Sequence, residues 1–181
     1  MIMVKIIFES HATTLDNEAH LASGHFDVEL SDLGRQQAKD LGQRYNAADL
    51  AAIFCSDLKR SYQTAEIAFA GKNIKIIKDA RLRECDYGDW QRKPSEMIEA
   101  MKSQHISVPF TNGQSYEQTT QNMKEFLQWL EKNYDTQTVL IIGHRATQYA
   151  LENLINQIPL TQIITQPWHW QPGWVYLLEK I

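Results

Sequence analysis

Met3-Val-Lys-Ile-Ile-Phe-Glu-Ser-His11 opens the chain with a short apolar, β-branched run that ends in a histidine. Such a run reads as a buried strand. Thr138-Val-Leu-Ile-Ile-Gly-His144 repeats the arrangement far downstream. A histidine at the exit of a strand stands on a rigid platform at the end of a sheet. Two of them, distant in sequence, suggest one site built from two strand ends.

The segments around these runs alternate in period. Ser31-Asp32-Leu33 offers a helix N-cap, after which Leu33, Ala38, Leu41 and Tyr45 recur at helical spacing. Ala51 to Cys55 reads as a strand, and Ser56-Asp57 as the start of a helix that runs to about Ala70 and ends at Gly71. Ile74 to Ile77 is a further short strand, and Arg81 to Lys93 has no clear period and reads as loop. Pro94 suits the first turn of a helix reaching Ser103, and His105 to Gln114 is loop. Ser115-x-x-Gln118 is a capping box ahead of Tyr116, Thr119, Met123, Phe126, Leu127 and Leu130, a strongly amphipathic helix. Ala146 to Asn156 is a helix, and Trp174 to Leu178 closes the chain as an edge or central strand. Strands alternating with helices predict an α/β fold, a three-layer sandwich with a mostly parallel central sheet flanked by helices. Ligands of such sheets sit outside the carboxyl ends of the strands, where His11 and His144 both fall.

The 181 residues are enough for one domain with a substantial core, taken as 1–181, and too few to expect two. A net charge of −4 gives no reason to expect nucleic acid or an anionic membrane as partner. No apolar run approaches the ~20 residues of a membrane span. The opening residues are better read as a first strand than as a signal peptide. Cys55 and Cys85 form neither a metal pattern nor a disulfide framework, and cytoplasm is the expected compartment. Oligomeric state is not legible.

Chemistry enters through a series of motifs. Ser10-His11-Ala12-Thr13-Thr14-x-x-Asn17 resembles the Arg-His-Gly-x-Thr-x-x-Asn motif of the histidine phosphatase superfamily, the phosphoglycerate mutase-like proteins. Gly24-x-x-Asp27, Leu30-Ser31-x-x-Gly34-x-x-Gln37-Ala38 and Ser56-Asp57-Leu58-x-Arg60-x-x-Gln63-Thr64-Ala65 continue the resemblance. Leu82-Arg83-Glu84-x-x-x-Gly88-x-Trp90, Gly113-x-Ser115-Tyr116-Glu117 and Gly143-His144 complete it in order. Each piece is weak alone, and the ordered set is strong.

The resemblance implies a mechanism. His11 would attack phosphorus in line and form a phosphohistidine. Glu84 would protonate the leaving alcohol and later activate water. Arg60 and His144 would hold the phosphoryl oxygens, with Asn17 and the backbone near Gly24 adding hydrogen bonds. Neither metal nor organic cofactor is implied, and the partner is a small phosphorylated molecule. The chain has only about Gln91 to Asn112 available as a lid, which favours hydrolysis over mutase chemistry. A non-catalytic member binding a phosphometabolite or partner, and a mutase, are the alternatives.

Each residue also has a plainer reading. His11 and His144 taken singly are more often structural, Arg60 could be a surface residue, and Asn17 a turn former. Asp86 and Asp89 compete with Glu84 as acids. His20, His25, His105 and His169 match no pattern and read as structural or exposed, and Trp168-His169-Trp170 reads most simply as packing, with a hydrophobic wall near a ligand as the lesser reading. The loop Gln91 to Asn112 and this Trp-rich segment are expected to shape the non-phosphate part of the substrate, without a readable code.

The sequence departs from the family pattern at Ser10, where the motif has Arg. A charge-assisted hydrogen bond contributes roughly 1.5–3 kcal/mol, so losing one costs about tenfold to a few hundredfold in transition-state binding. Arg145 is a candidate substitute at the substrate, with Arg83 and Arg92 behind it. Glu9, an anion beside the site, is expected to pair internally with one of these arginines.

Overall fold

The computed structural model describes residues 3–179. Its centre is a five-stranded sheet in the order β4-β3-β6-β1-β7, made of β1 (Val4–Ser10), β3 (Ala52–Cys55), β4 (Ile76–Lys78), β6 (Thr138–Gly143) and β7 (Trp174–Leu178). β1 pairs parallel with β6, β6 with β3, and β3 with β4, while β7 runs antiparallel at the edge beside β1. β6 is buried from Val139 to Gly143, as a central parallel strand covered on both faces must be.

Helices cover both faces. Val4, Ile6 and Phe8 of β1 point one way, into a core with Met123, Phe126, Leu127 and Leu130 of α5 (Tyr116–Asn133) and Ala150 and Leu151 of α6 (Arg145–Leu154). Ile7 points the other way, toward Leu41 of α2 (Asp32–Gln43) and Ala65 and Ala68 of α3 (Lys59–Ala68). The three-layer sandwich with a mostly parallel sheet is therefore observed. The capping box at Ser115 and Gln118 is present as the spacing predicts.

The remaining elements are short. They are α1 (Leu15–Glu18), α4 (Ser95–Met101), α7 (Leu160–Thr165), and the strands β2 (Leu21–Ala22) and β5 (Lys93–Pro94), which pair with each other. Of these only α4 is predicted, from Pro94, which stands at its N-cap; the others are too short to show a period. The predicted start of α3 at Ser56-Asp57 is corrected: its N-cap is Leu58, with no side-chain cap bond. The Ser56 hydroxyl is instead hydrogen-bonded to His144.

The β1–β6 register pairs Ser10 with Gly143. Both histidines thus leave the sheet at one level, and the His11 N–H donates to the Gly143 carbonyl at 3.0 Å.

Candidate active site

The loop after β1 is held by residues of the recurring motifs. The Ala12 N–H donates to Thr64 Oγ1 at 3.0 Å, and Thr13 N–H to Gln37 Oε1 at 2.9 Å. Gly34 lets α2 come close: a Cβ there would lie 1.9 Å from the Thr13 carbonyl oxygen. The family-like residues Gly34, Gln37 and Thr64 therefore fix the backbone that carries His11.

His11 Nδ1 lies 2.8 Å from the Ala12 carbonyl oxygen. A carbonyl can only accept, so the proton is assigned to Nδ1 and the lone pair to Nε2. Burial, reinforced by the Arg60 charge, pushes the imidazole pKa down to about 3. The ring is therefore neutral at pH 7, and its Nε2 is a nucleophile. The His11 and His144 rings stand with centroids 5.1 Å apart.

His144, at the N-cap of α6, is buried. Ser56 Oγ accepts from the Leu58 N–H at 3.4 Å and is hydrogen-bonded to His144 Nε2 at 2.7 Å. His144 Nδ1 is buried with no hydrogen-bond partner among the described residues. Burial, then the Arg60 charge and His11, holds the His144 pKa well below the ordinary histidine value.

Arg60 is 2% exposed. Its Nη2 donates to the Gly24 carbonyl at 2.7 Å and Nη1 to that of Phe26 at 3.2 Å, tying the loop before α2 to α3. Gly24 has φ +56, and a Cβ there would sit 3.0 Å from the Tyr87 ring, so both backbone conformation and space favour glycine. Glu84 is buried, and its Oε1 accepts from the N–H groups of Cys85 at 2.8 Å and Ala146 at 3.2 Å, the latter in the first turn of α6. Asp86 and Asp89, its competitors in sequence, are engaged elsewhere: Asp86 bonds the Gly88 N–H and Gln91, and Asp89 bonds Asn112. Asn17 is the turn former the plainer reading expects, completing a capping box with Thr14, and it also lines the site.

One cavity of about 290 Å³ is lined by Ser10, His11, Asn17, Gly24, Arg60, Glu84, His144 and Arg145, the residues the sequence assigns to catalysis and phosphate binding. Of the three arginines considered as substitutes at position 10, only Arg145 lines it. Arg83 forks onto Asp57 at 2.5 and 2.6 Å, and Arg92 pairs with Asp16 at 3.3 Å while covering the Phe26 ring. The expected internal partner of Glu9 is corrected. Strand alternation turns Glu9 toward α2, where it accepts from Arg44 at 2.9 Å and the Tyr45 hydroxyl at 2.5 Å.

Tyr87 escapes the sequence reading, while Glu99 lies in the 91–112 segment and Trp168 and Trp170 in the C-terminal segment expected to shape the non-phosphate part of the substrate. Tyr87, Glu99, Trp168 and Trp170 all border the cavity. The packing reading of the tryptophan cluster is therefore incomplete, because two of its rings also form a wall of the site. His25, taken as structural or exposed, is structural: its Nε2 contacts the Glu84 carbonyl at 2.8 Å. Among the described residues, no group of three or more His, Cys, Asp and Glu is placed to hold a metal ion. Among them too, no helix is long and apolar enough to cross a membrane.

Comparison with known proteins agrees with this geometry. Residues 6–179 match the family described as histidine phosphatase superfamily (branch 1). Phosphoserine phosphatase 1 of Hydrogenobacter thermophilus is 34% identical over 159 residues, covering 82% of this chain and 74% of that protein. The adenosylcobalamin/alpha-ribazole phosphatase of Salmonella typhimurium is 28% identical over 169 residues, covering 89% and 82% respectively. Among solved structures, Bacillus stearothermophilus YhfR superposes with a TM-score of 0.82 at 30% identity, over 97% of this chain and 91% of that one.

Proposed function

The chain belongs to branch 1 of the histidine phosphatase superfamily, and from that premise we propose that it hydrolyses a small phosphomonoester through a phosphohistidine on His11. The observation that carries this reading is the tautomer of His11. A backbone carbonyl holds the proton on Nδ1, so Nε2 is an unprotonated nitrogen in a cavity that also contains Arg60, Glu84 and His144.

In the first half-reaction the Nε2 lone pair forms the N–P bond as the bond from phosphorus to the leaving oxygen breaks. Glu84, carrying a proton, passes it to that oxygen, and the alcohol departs. In the second, water attacks phosphorus, its proton returns to Glu84, and the N–P bond breaks to release inorganic phosphate and neutral His11. Arg60 and the His144 ring bind the phosphoryl oxygens and gain strength as charge builds on them. Asn17 and the N–H groups near Gly24 complete the hydrogen bonding. The two cysteines are buried and unpaired, in keeping with a reducing compartment such as the cytoplasm.

The test is phosphate release from an aryl phosphate together with acid-quenched trapping of the phosphoenzyme. His11→Ala is expected to abolish both. Equal turnover in the variant removes His11 as nucleophile. Phosphate binding with no turnover by the intact chain would favour the non-catalytic alternative that Ser10 suggests.

A further inference from the structure

The exit of β1 carries no cation. Ser10 lines the cavity, and its Oγ is buried without a hydrogen-bond partner. A guanidinium enters the same cavity from the other strand exit, that of β6, on Arg145, the first residue of α6.

Arg145 is gripped on two sides. Its Nη1 pairs with Glu99 Oε1, while Glu99 Oε2 takes Lys102 Nζ at 2.7 Å. Lys102 is itself buried, 3.4 Å from the Tyr149 hydroxyl, so the carboxylate is anchored on α4 and its neighbouring turn. On the other side the Arg145 guanidinium carbon lies 5.0 Å from the Trp168 ring centroid. Trp168 stacks on Trp174 at 5.9 Å, and Trp174 meets the Phe8 ring edge-on at 5.7 Å. The aromatic grip therefore rests on β1, the strand that carries His11.

We propose that Arg145 is the relocated phosphoryl-binding cation of this enzyme and that Glu99 and Trp168 are its positioning residues; this rests on the phosphatase reading above. A free arginine loses rotamer freedom each time it closes on a ligand, and the two-sided grip removes that loss before the substrate arrives. Glu99 engages one nitrogen of a group with five donors, so the fork keeps donors for a phosphoryl oxygen. The cation over the Trp168 face adds a second attraction that survives when the phosphate binds.

The experiment uses the full chain, aryl phosphate turnover, and orthovanadate affinity as a binding probe independent of turnover. Arg145→Ala should weaken vanadate binding and lower kcat/KM by about tenfold to a few hundredfold. Adding Ser10→Arg to Arg145→Ala should recover at least about tenfold of that loss, since it returns one charge-assisted contact. Glu99→Gln and Trp168→Leu should each lower kcat/KM in the wild-type background, with Glu99→Asp and Trp168→Phe recovering part of it. In the Arg145→Ala background the same changes should have effects within about twofold of none. A general structural role predicts equal losses in both backgrounds, and that result overturns the positioning assignment. Full activity in Arg145→Ala, or no recovery from Ser10→Arg in a variant that keeps its thermal transition, overturns the relocation. Loss of the trapped phosphoenzyme from the wild type would instead strike the phosphohistidine reading, whatever Arg145 does.

Discussion

Thr64→Val isolates one hydroxyl that joins the two halves of the site. Thr64 Oγ1 accepts from the Ala12 N–H at 3.0 Å and donates to the Arg60 carbonyl at 2.6 Å. It connects the backbone of the His11 loop to the helix that carries Arg60. Valine matches threonine in shape, so no cavity opens and the loss is polar. The Arg60 carbonyl still has its helical partner, the Thr64 N–H, so the orphaned group is the Ala12 N–H alone. Ala12 and Thr64 are both buried, so the lost acceptor leaves a buried donor. An unsatisfied buried donor costs about 1–3 kcal/mol. At this chain length that lowers Tm by about 2–12 °C. The Ala12 carbonyl orients His11 through Nδ1, so a loop released at the Ala12 N–H also misaims Nε2. A misplacement near 1 Å costs about a hundredfold in turnover. Urea denaturation and steady-state hydrolysis of an aryl phosphate measure the two effects, with Thr64→Ser as the control that keeps the hydroxyl. Stability of the valine variant within about 0.5 kcal/mol of wild type would refute the orphan-donor argument. Equal turnover losses in the serine and valine variants would refute the role of the hydroxyl in aiming His11.

Two further outcomes follow from the same geometry. Burial and Arg60 hold His11 near a pKa of about 3, and burial holds His144 below its ordinary value as well. Below about pH 6.5 the unfolded chain takes up protons that the folded histidines refuse, so stability falls as pH drops toward 3, by up to about 1.4 kcal/mol per pH unit for each. Denaturant titrations at pH 7 and pH 5 should show the drop, and His11→Phe should shrink it; an unchanged slope in that variant refutes the assignment. Gly34→Ala places a methyl 1.9 Å from the Thr13 carbonyl oxygen, a backbone clash that must push α2 away from the His11 loop. The expected cost is about 1–3 kcal/mol in stability with turnover falling alongside, and a variant indistinguishable from wild type in both assays would show that the close approach is not needed.

Elements that bury a long periodic face were legible from sequence, and those held by tertiary contacts alone were not. β6 and α5 declare themselves because their apolar positions must match two covered faces in one case and one stripe in the other. α1, α7 and the β2–β5 pair are too short for any period, and they persist through caps and neighbours. Site residues set at strand exits or inside ordered motifs were legible in the same way: His11, Arg60, Glu84 and His144 all line the cavity. Glu99 and Trp168 were legible only as members of segments expected beside the substrate, because neither segment carries a motif that gives one residue a role. Ser56 misled for a physical reason: serine before a helix is a good cap, and here His144 takes its hydroxyl. The partner of Glu9 is set by the face of the strand, which the cavity arginines do not share. Alternation along β1 turns it away from the cavity arginines and toward Arg44.

The shared register of β1 and β6 has a consequence for motion. Ser10 opposes Gly143, and the His11 amide is bonded to the Gly143 carbonyl, so both histidines ride on adjacent central strands. Separating them means opening the middle of the sheet, which is close to global unfolding. Amide exchange at His11 should therefore be as slow as in the core strands, whereas amides around Glu99 and Trp168 can open in smaller excursions. The reacting pair is a fixed frame, and any adjustment to different alcohols falls to the wall opposite it.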